Sequence, residues 1–163
     1  MMEWQIVQFE ELDTYTLYAM LQLRVDVFVV EQNCPYPELD DKDLHPQTKH
    51  ILLKKAGKIL AYARILPPDV SFAGVPGVGR VCVAQTARRL GLGEVLVAKA
   101  IATAKQDWPG LDIHISAQCY LQRFYESMGF VAASESYLED DIPHLKMILT
   151  VTEGKVSLGQ PES

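Results

Sequence analysis

The sequence has few of the features that mark secreted, metal-binding or membrane-spanning proteins. Its three cysteines, Cys34, Cys82 and Cys119, lie far apart and form no Cys-x-x-Cys pair. This spacing argues against a zinc site and against a disulfide framework, and it predicts reduced thiols in a cytoplasmic protein. We also expect no signal peptide, because the first residues lack a basic segment followed by an apolar one.

Long apolar runs and basic runs are missing as well. No stretch approaches the roughly 18 apolar residues of a membrane-spanning helix. The net charge of −6, without a basic cluster, argues against nucleic acid as a partner. A chain of 163 residues, 48% of them hydrophobic, can bury a core of its own. We therefore expect one domain at 1–152, a monomer or homodimer without metal, and a disordered tail at 153–163.

Hydrophobic periodicity predicts a mixed α/β fold, an α+β mixed central sheet flanked by helices. Alternating segments predict strands, among them a hairpin that turns at Ala56 and Gly57 and a central strand that ends at Val83. Apolar residues three and four positions apart predict the helices. The predicted order is β-α-β-β-β-α-β-α-β-β, with helices at about 14–28, 92–106 and 119–128 and a final strand pair at 130–137 and 144–151.

Two charged features of the N-terminal third have more than one interpretation. Arg24 falls within the apolar stripe of the first predicted helix, so it must contact a carboxylate, carbonyl groups or a ligand. We expect either an ion pair, with Glu31 as the partner, or a contact with substrate. The segment 33–48 carries four carboxylates, which form either a solvated loop or an acidic rim for a cationic acceptor: Glu38, Asp40, Asp41 and Asp43.

The most informative stretch follows the central strand and reads R-R-L-G-L-G before the next helix. Gly91 and Gly93 let the backbone approach an anion without a Cβ in the way. The helix start directs N–H groups and partial positive charge at the same point, and Arg88 and Arg89 add full charges. This combination indicates a phosphate-binding turn, although an ordinary strand-to-helix turn can have the same pattern. No Gly-Lys-Ser/Thr follows, which excludes a P-loop.

Two spaced motifs carry a family resemblance. Arg88-x-x-Gly91-x-Gly93 resembles the acetyl-CoA pyrophosphate loop of the GNAT N-acetyltransferase superfamily. The later segment Q-C-Y-L-Q-R-F-Y-E-S-M-G-F resembles a second motif of that family, in the expected order. The segments L-Q-L-R-V-D-V-F-V-V-E-Q-N-C-P-Y, A-Y-A-R-I-L and D-D-I-P-H-L-K-M extend the resemblance to the ElaA-type branch over residues 2–150. It implies the GNAT acyl-CoA N-acyltransferase fold and acetyl-CoA as the donor.

The resemblance also implies a donor site. Backbone groups of the central strand would hold the pantetheine arm and the acetyl carbonyl, and N–H groups of the glycine loop would bind the pyrophosphate. The expected donor-binding residues are Val81, Cys82, Val83, Arg88, Arg89, Leu90, Gly91, Leu92, Gly93, Gln118 and Phe124. Tyr125 matches the tyrosine beside the CoA sulfur and is the expected acid, since a phenol with a pKa of about 10 is protonated at neutral pH.

The general base and the acceptor remain open. Some relatives carry a glutamate base at the start of the central strand, where this chain has Gly77. Glu31, His114, His144 or a chain of water molecules are the alternatives. We expect Arg24, Glu31 and His144 to bind the acceptor, a primary amine that is small or carried by a peptide. The acidic segments, including 139–141, favour a cationic one.

Two other functions fit parts of the sequence. L-R-V-D-V-F with the acidic residues after it also resembles the N-terminal block of acyl-homoserine-lactone synthases, although the chain is short for that family. A non-catalytic acyl-CoA-binding module would keep the donor site without turnover. A covalent mechanism through Cys82 is not expected, because a cysteine in a strand centre is usually inert core.

Overall fold

The computed structural model describes residues 1–151, which form one mixed sheet with helices on both faces. The strands in this part of the chain are β1 (Met2–Val7), β2 (Lys49–Lys55), β3 (Lys58–Leu66), β4 (Gly77–Val83), β5 (Ile113–Gln118), β6 (Val131–Ala132), β7 (Tyr137–Glu139) and β8 (Ile142–Leu149). The helices are α1 (Thr14–Val25), α2 (Leu92–Asp107) and α3 (Gln122–Ser127). α1 continues into a π-helical turn (Asp26–Glu31), and 3-10 turns cover Phe9–Glu11, Lys42–Leu44, Gln85–Ala87 and Cys119–Leu121. The expected tail, 153–163, lies outside the described residues.

The sheet opens in its middle, between β4 and β5. The strand order is β1-β2-β3-β4-β5-β8-β6, and β7 pairs with β8. All of these pairs are antiparallel except β4 with β5, which are parallel and are registered only at Gly77 opposite His114. Because no further β4–β5 pair forms within residues 1–151, the two strands diverge beyond this contact. The predicted mixed sheet is confirmed, and it contains a wedge-shaped gap.

Side-chain alternation along β3 divides the apolar residues between two cores. Ala61, Ala63 and Ile65 are fully buried in the larger core, which also contains the inner face of α2. Tyr62 points the opposite way and packs in a second cluster with Met20 of α1. Successive strand residues face opposite sides of a sheet, so one strand can serve both cores. β3 therefore contributes side chains to both cores.

The predicted first helix is correct at its start and wrong at its end. The carboxylate of Asp13 accepts a hydrogen bond of 2.7 Å from the N–H of Thr16, so Asp13 caps α1. Regular α-helix stops at Val25, three residues before the predicted end at about 28, and the π-helical turn follows. A π turn takes one more residue than an α turn, which rotates the later side chains away from the stripe of α1.

The C-terminal strand pair also differs from the prediction. The expected strand at 130–137 is reduced to the two residues of β6, and a separate short strand, β7, begins at Tyr137. β7 and β8 are joined by Asp140 and Asp141 alone, with φ of 51° and 64°. Aspartate tolerates this left-handed conformation better than most residues, which permits a two-residue hairpin where sequence patterns predicted a longer loop.

The segment 33–48 was expected to be either a solvated loop or an acidic rim, and the structure shows neither. Three of its four carboxylates are paired with arginines and are not free to bind a cation. They bind arginines in a group that we call the arginine–carboxylate cluster: Arg24, Arg64, Arg80, Glu38, Asp40 and Asp43. Its three positive and three negative charges are balanced. Buried charges are tolerated when they are paired and hydrogen-bonded in this way.

Arg24 is the most deeply buried member of the cluster. Its Nε lies 2.8 Å from Glu38 and its Nη1 lies 2.8 Å from Asp43, and its exposed fraction is 0%. The expected ion pair with Glu31 is therefore wrong, because segment 33–48 folds back and supplies other carboxylates. The structure gives no support to the expected contact between Arg24 and substrate, since this side chain has no exposed surface.

We expect Arg24→Ala to destabilise the protein strongly. The substitution leaves Glu38 and Asp43 buried beside a lost partner, a change that typically costs about 3–5 kcal/mol. Urea denaturation followed by tryptophan fluorescence measures the change in the free energy of unfolding. Arg123→Ala is the matched control, because Arg123 is exposed on α3 and should leave the urea midpoint unchanged. Equal midpoints for the two variants would contradict a structural role for Arg24.

Candidate active site

The gap between β4 and β5 widens into a cleft of about 1070 Å³. Its walls are formed by the two diverging strands, the loop before α2, the π-helical turn, the start of α3 and the β7–β8 hairpin. A concave site of this volume can enclose a ligand of drug size or larger, so we take it as the candidate active site. Within residues 1–151 no group of three or more histidine, cysteine or carboxylate side chains could hold a metal ion.

The cleft gathers most of the residues expected to bind a donor. Ten of the eleven line its wall: Val81, Cys82, Val83, Arg88, Arg89, Gly91, Leu92, Gly93, Gln118 and Phe124. The side chain of Leu90 is instead 61% exposed and lies outside the wall. Tyr125, Glu31 and His144 also line the cleft, whereas Arg24 and His114 do not. The positions of the ten residues in one wall support the expected donor site.

The glycine loop has the backbone that an anion site needs. Gly91 is the N-cap of α2 and has a φ of 73°, a left-handed conformation that glycine adopts without strain. A Cβ on Gly93 would lie 3.6 Å from the ring of Phe124, so the two helices approach closely here. The first N–H groups of α2 have no partner within the helix, and its end carries partial positive charge. An anion bound in this loop would interact with both the free N–H groups and the positive end of α2.

Arg88 is held by a carboxylate at the edge of the cleft. Its Nη1 and Nη2 lie 2.5 and 2.7 Å from the two carboxylate oxygens of Glu31, at the end of the π-helical turn. The hydrogen bonds and charge of Arg88 lower the pKa of Glu31. A carboxylate occupied in this way is a weak general base, so this geometry disfavours one of the expected candidates.

Gln118 is joined across the cleft to the residue after Glu31. The side-chain amides of Gln32 and Gln118 donate to each other over 3.2 and 3.5 Å, which links the π-helical turn to the end of β5. Sequence analysis did not single out Gln32, because nothing in its neighbourhood shows that it faces a strand 86 residues away. A ligand that contacts Gln118 has to compete with this amide pair or extend it.

Tyr125 lies in the cleft wall with its ring buried. It packs edge to face against Phe124 and Phe130, with centroid distances of 5.1 and 5.9 Å. Burial raises the pKa of the Tyr125 phenol, and only 7% of the residue is exposed. The hydroxyl group therefore stays protonated at neutral pH and is able to donate a hydrogen bond or a proton.

The thiol of Cys82 is expected to be unreactive although the residue lies in the cleft wall. The residue is 5% exposed, and burial raises the pKa of its thiol to about 12. The thiolate is the nucleophilic form of cysteine, and it is scarce in this environment. The geometry gives no support to a covalent acyl-cysteine mechanism.

Two histidines that were candidates for the base have different locations. His114 lies at the closed end of the gap, where its ring packs on Phe72 at 5.3 Å and its Nδ1 is buried without a hydrogen-bond partner. Burial, with a smaller contribution from Lys146, lowers the pKa of His114. His144 lies in the cleft wall on β8, and its Nδ1 is 2.7 Å from the carbonyl oxygen of Ile142. Only His144 can therefore reach a ligand in the cleft.

Three polar residues surround His144, and only Glu139 was indicated by the sequence, as part of the acidic segment 139–141. Ser116 on β5 hydrogen-bonds to the hydroxyl of Tyr137 and, over 3.0 Å, to the carboxylate of Glu139. The ring of Tyr137 stacks on the imidazole of His144 at 6.3 Å. These residues come together because β8 pairs with both β5 and β7. The only hint in the sequence was the acidic run at 139–141.

The comparisons with known proteins agree with this architecture. A family model described as Acetyltransferase (GNAT) domain matches residues 20–151. Protein ElaA of Escherichia coli (strain K12) is 44% identical over 153 residues, which cover 94% of this chain and 99% of ElaA. The crystal structure of Escherichia coli ElaA has a TM-score of 0.84 at 43% identity, with 91% of this chain and 99% of that chain covered.

Two further solved structures bear on the alternatives. An acyl-CoA N-acyltransferase from Pseudomonas aeruginosa has a TM-score of 0.86 at 44% identity, covering 91% of this chain and 99% of its own. The AHL synthase LasI has a TM-score of 0.74 at 13% identity, covering 100% of this chain and 98% of that chain. The second similarity is to the fold alone. The predicted acyl-CoA N-acyltransferase fold and the ElaA-type resemblance are thus confirmed.

We expect Cys82 to resist alkylation in the native protein, because its thiol is buried and protonated. Cys34 and Cys119 are partly exposed and should react first with iodoacetamide at mildly alkaline pH. Peptide mass spectrometry quantifies the three modifications, and urea-denatured protein is the control in which all three are modified. Modification of Cys82 at the same rate in native and denatured protein would contradict this assignment.

Proposed function

Because the chain belongs to the GNAT acetyltransferase family, we propose that it transfers an acetyl group from acetyl-CoA to a primary amine. The observation that carries the proposal is the cleft itself, which joins the glycine loop, the open edge of β4 and Tyr125 in one space. The acetyl thioester supplies the electrophilic carbonyl carbon. The amine attacks that carbon directly, without an acyl-enzyme intermediate, in keeping with the buried thiol of Cys82.

The donor would occupy the end of the cleft nearest α2. N–H groups at the start of α2 suit its pyrophosphate, and Arg88 supplies a positive charge beside them. The backbone of Val81, Cys82 and Val83 lies along the gap and suits the amide-rich pantetheine arm. Gln118 and Phe124 line the same passage. Because Glu31 already binds Arg88, donor binding at this guanidinium would have to displace or share that carboxylate.

Tyr125 is proposed as the acid. Breaking the C–S bond releases a thiolate, and a phenol kept protonated by burial can donate its proton to that sulfur. Its ring is fixed between Phe124 and Phe130, which limits how far the hydroxyl can move. Such fixed geometry favours proton transfer during the reaction.

The acceptor would enter beside β7 and β8. Neutralisation of Glu38, Asp40 and Asp43 inside the arginine–carboxylate cluster removes them as a binding surface for a cation. The acidic residues of the β7–β8 hairpin, which lies in the cleft wall, keep the electrostatic preference for a cationic amine. His144 and Glu31 remain proposed acceptor contacts because both line the cleft.

The side chains that suggested an acyl-homoserine-lactone synthase form ion pairs in the protein interior. Arg24, Glu38 and Asp43 are paired with one another and are 0–5% exposed.

The three free cysteines support the proposal that the enzyme works in a reducing cytoplasm. No helix among residues 1–151 is long and apolar enough to cross a membrane.

Calorimetric titration should detect acetyl-CoA binding and its loss in Gly91→Asp. The new carboxylate lies where the pyrophosphate would sit, so we expect affinity to fall about tenfold or more. Gly57→Asp is the matched control, because both glycines have a left-handed φ and open space where a Cβ would be added, and Gly57 is in the β2–β3 turn. Absence of binding to the unmodified protein, or equal affinity in both variants, would refute the donor site.

Tyr125→Phe should lower kcat about 100-fold while leaving acetyl-CoA affinity similar, because it removes only the acidic hydroxyl. Steady-state assays of free CoA release with a panel of primary amines measure kcat, and calorimetry measures affinity. An unchanged kcat would rule out Tyr125 as the acid. Binding of acetyl-CoA by the unmodified protein, with no turnover of any amine, would favour the non-catalytic module instead.

A further inference from the structure

The polar groups around His144 form a connected chain. The hydroxyl of Ser116 has one hydrogen, which it donates to Glu139 Oε1 over 3.0 Å, so the hydroxyl of Tyr137 must donate to Ser116. Glu139 is thereby held with its second oxygen, Oε2, 3.8 Å from His144 Nε2. All of these residues line the cleft.

The backbone selects one tautomer of His144. A carbonyl oxygen can only accept a hydrogen bond, so the contact between His144 Nδ1 and the oxygen of Ile142 requires a proton on Nδ1. The neutral imidazole then has its lone pair on Nε2. That nitrogen is the one beside Glu139, and it is able to accept a proton.

The gap between Glu139 and His144 suits an ammonium group. A separation of 3.8 Å is too long for a direct hydrogen bond and short enough for one nitrogen to donate to both atoms. The side chain of Glu139 is 46% exposed and that of His144 is 9% exposed, so the carboxylate faces solvent and the imidazole lies deeper in the cleft. A cation arriving from solvent therefore meets the carboxylate first.

We infer that Glu139 binds a primary alkylammonium acceptor and that His144 Nε2 removes its proton; this inference rests on the proposed function. Ser116 and Tyr137 are positioning residues, because they act through Glu139 and His144. A free alkylamine is mostly protonated at neutral pH and has no lone pair for attack, so this substrate class needs a base within reach.

Each proton of the proposed reaction has a donor and an acceptor among these residues, the substrates and water. One proton moves from the ammonium to His144 Nε2, and the nitrogen lone pair forms the C–N bond. The C–S bond then breaks, and the thiolate takes the proton of Tyr125. The nitrogen then gives a second proton to the Tyr125 phenolate, which becomes a phenol again. The imidazolium then releases its proton to water at the open side of the cleft.

The first test does not depend on enzymatic turnover. Nitrogen NMR of protein labelled with ¹⁵N-histidine distinguishes the two neutral tautomers, and loss of one set of signals in His144→Asn assigns them. We expect the Nδ1–H form for His144 in alkaline solution. The Nε2–H form would overturn the inference, because no lone pair would then face Glu139.

The second test is kinetic and uses alkylamines with saturating acetyl-CoA. His144→Asn should lower kcat about 100-fold, and Glu139→Gln should lower kcat/KM for the amine about tenfold through a higher KM. Glu135→Gln, an exposed control outside the cleft, should behave like the unmodified protein. Unchanged kinetics in Glu139→Gln would overturn its role. No turnover by the unmodified protein would instead refute the proposed function, and the NMR result would still decide the tautomer.

Discussion

The single parallel contact between β4 and β5 is the constraint on which the rest of the molecule depends. At this contact, a Cβ on Gly77 would lie 2.9 Å from the ring of Phe72, so only glycine fits without a shift. Beyond it the strands separate, and their divergence creates the cleft that the helices and the β7–β8 hairpin surround. A glutamate at this position, where the family resemblance places a base in some relatives, would require the ring of Phe72 to shift. Proton removal is therefore assigned to the opposite wall.

The arginine–carboxylate cluster supports one side of this opening. β4 contains an extra residue relative to β3, because Tyr62 pairs with Cys82 while Arg64 pairs with Gly79. Arg80 lies in this bulge with a φ of 53°, and its Nε is 2.8 Å from Glu38. Burial opposes ionisation of Asp40, but Arg64 outweighs it and lowers the pKa of that carboxyl to about 2. The ion pairs thus hold a strained strand in place at neutral pH.

The π-helical turn connects the two ends of the cleft. Its last residue, Glu31, binds Arg88 at the glycine loop, and the next residue, Gln32, binds Gln118 at the end of β5. One short segment therefore contacts both elements that the donor is proposed to touch. Beyond it, the β7–β8 hairpin supplies Glu139 and His144 to the proposed acceptor side. The donor and acceptor sites that we propose consequently lie on different walls of one cleft.

Local sequence was sufficient for the features that depend on neighbouring residues. Asp13 caps α1, β3 presents two faces, and Gly91 opens α2, because capping, alternation and left-handed turns involve only a few consecutive positions. The family motifs could be recognised for the same reason, since their residues lie within short segments.

Partner choice required the tertiary structure. Arg24 could not be assigned to Glu38 and Asp43 rather than Glu31, because that pairing depends on how segment 33–48 folds back. The residues around His144 come from three strands that become neighbours only when the sheet forms. Sequence by itself determined most of the elements and the family, and it located the glycine loop that is proposed to bind the donor. The tertiary structure decided which charges are paired and which imidazole nitrogen faces the cleft, because long-range contacts are set by strand order and register rather than by local pattern.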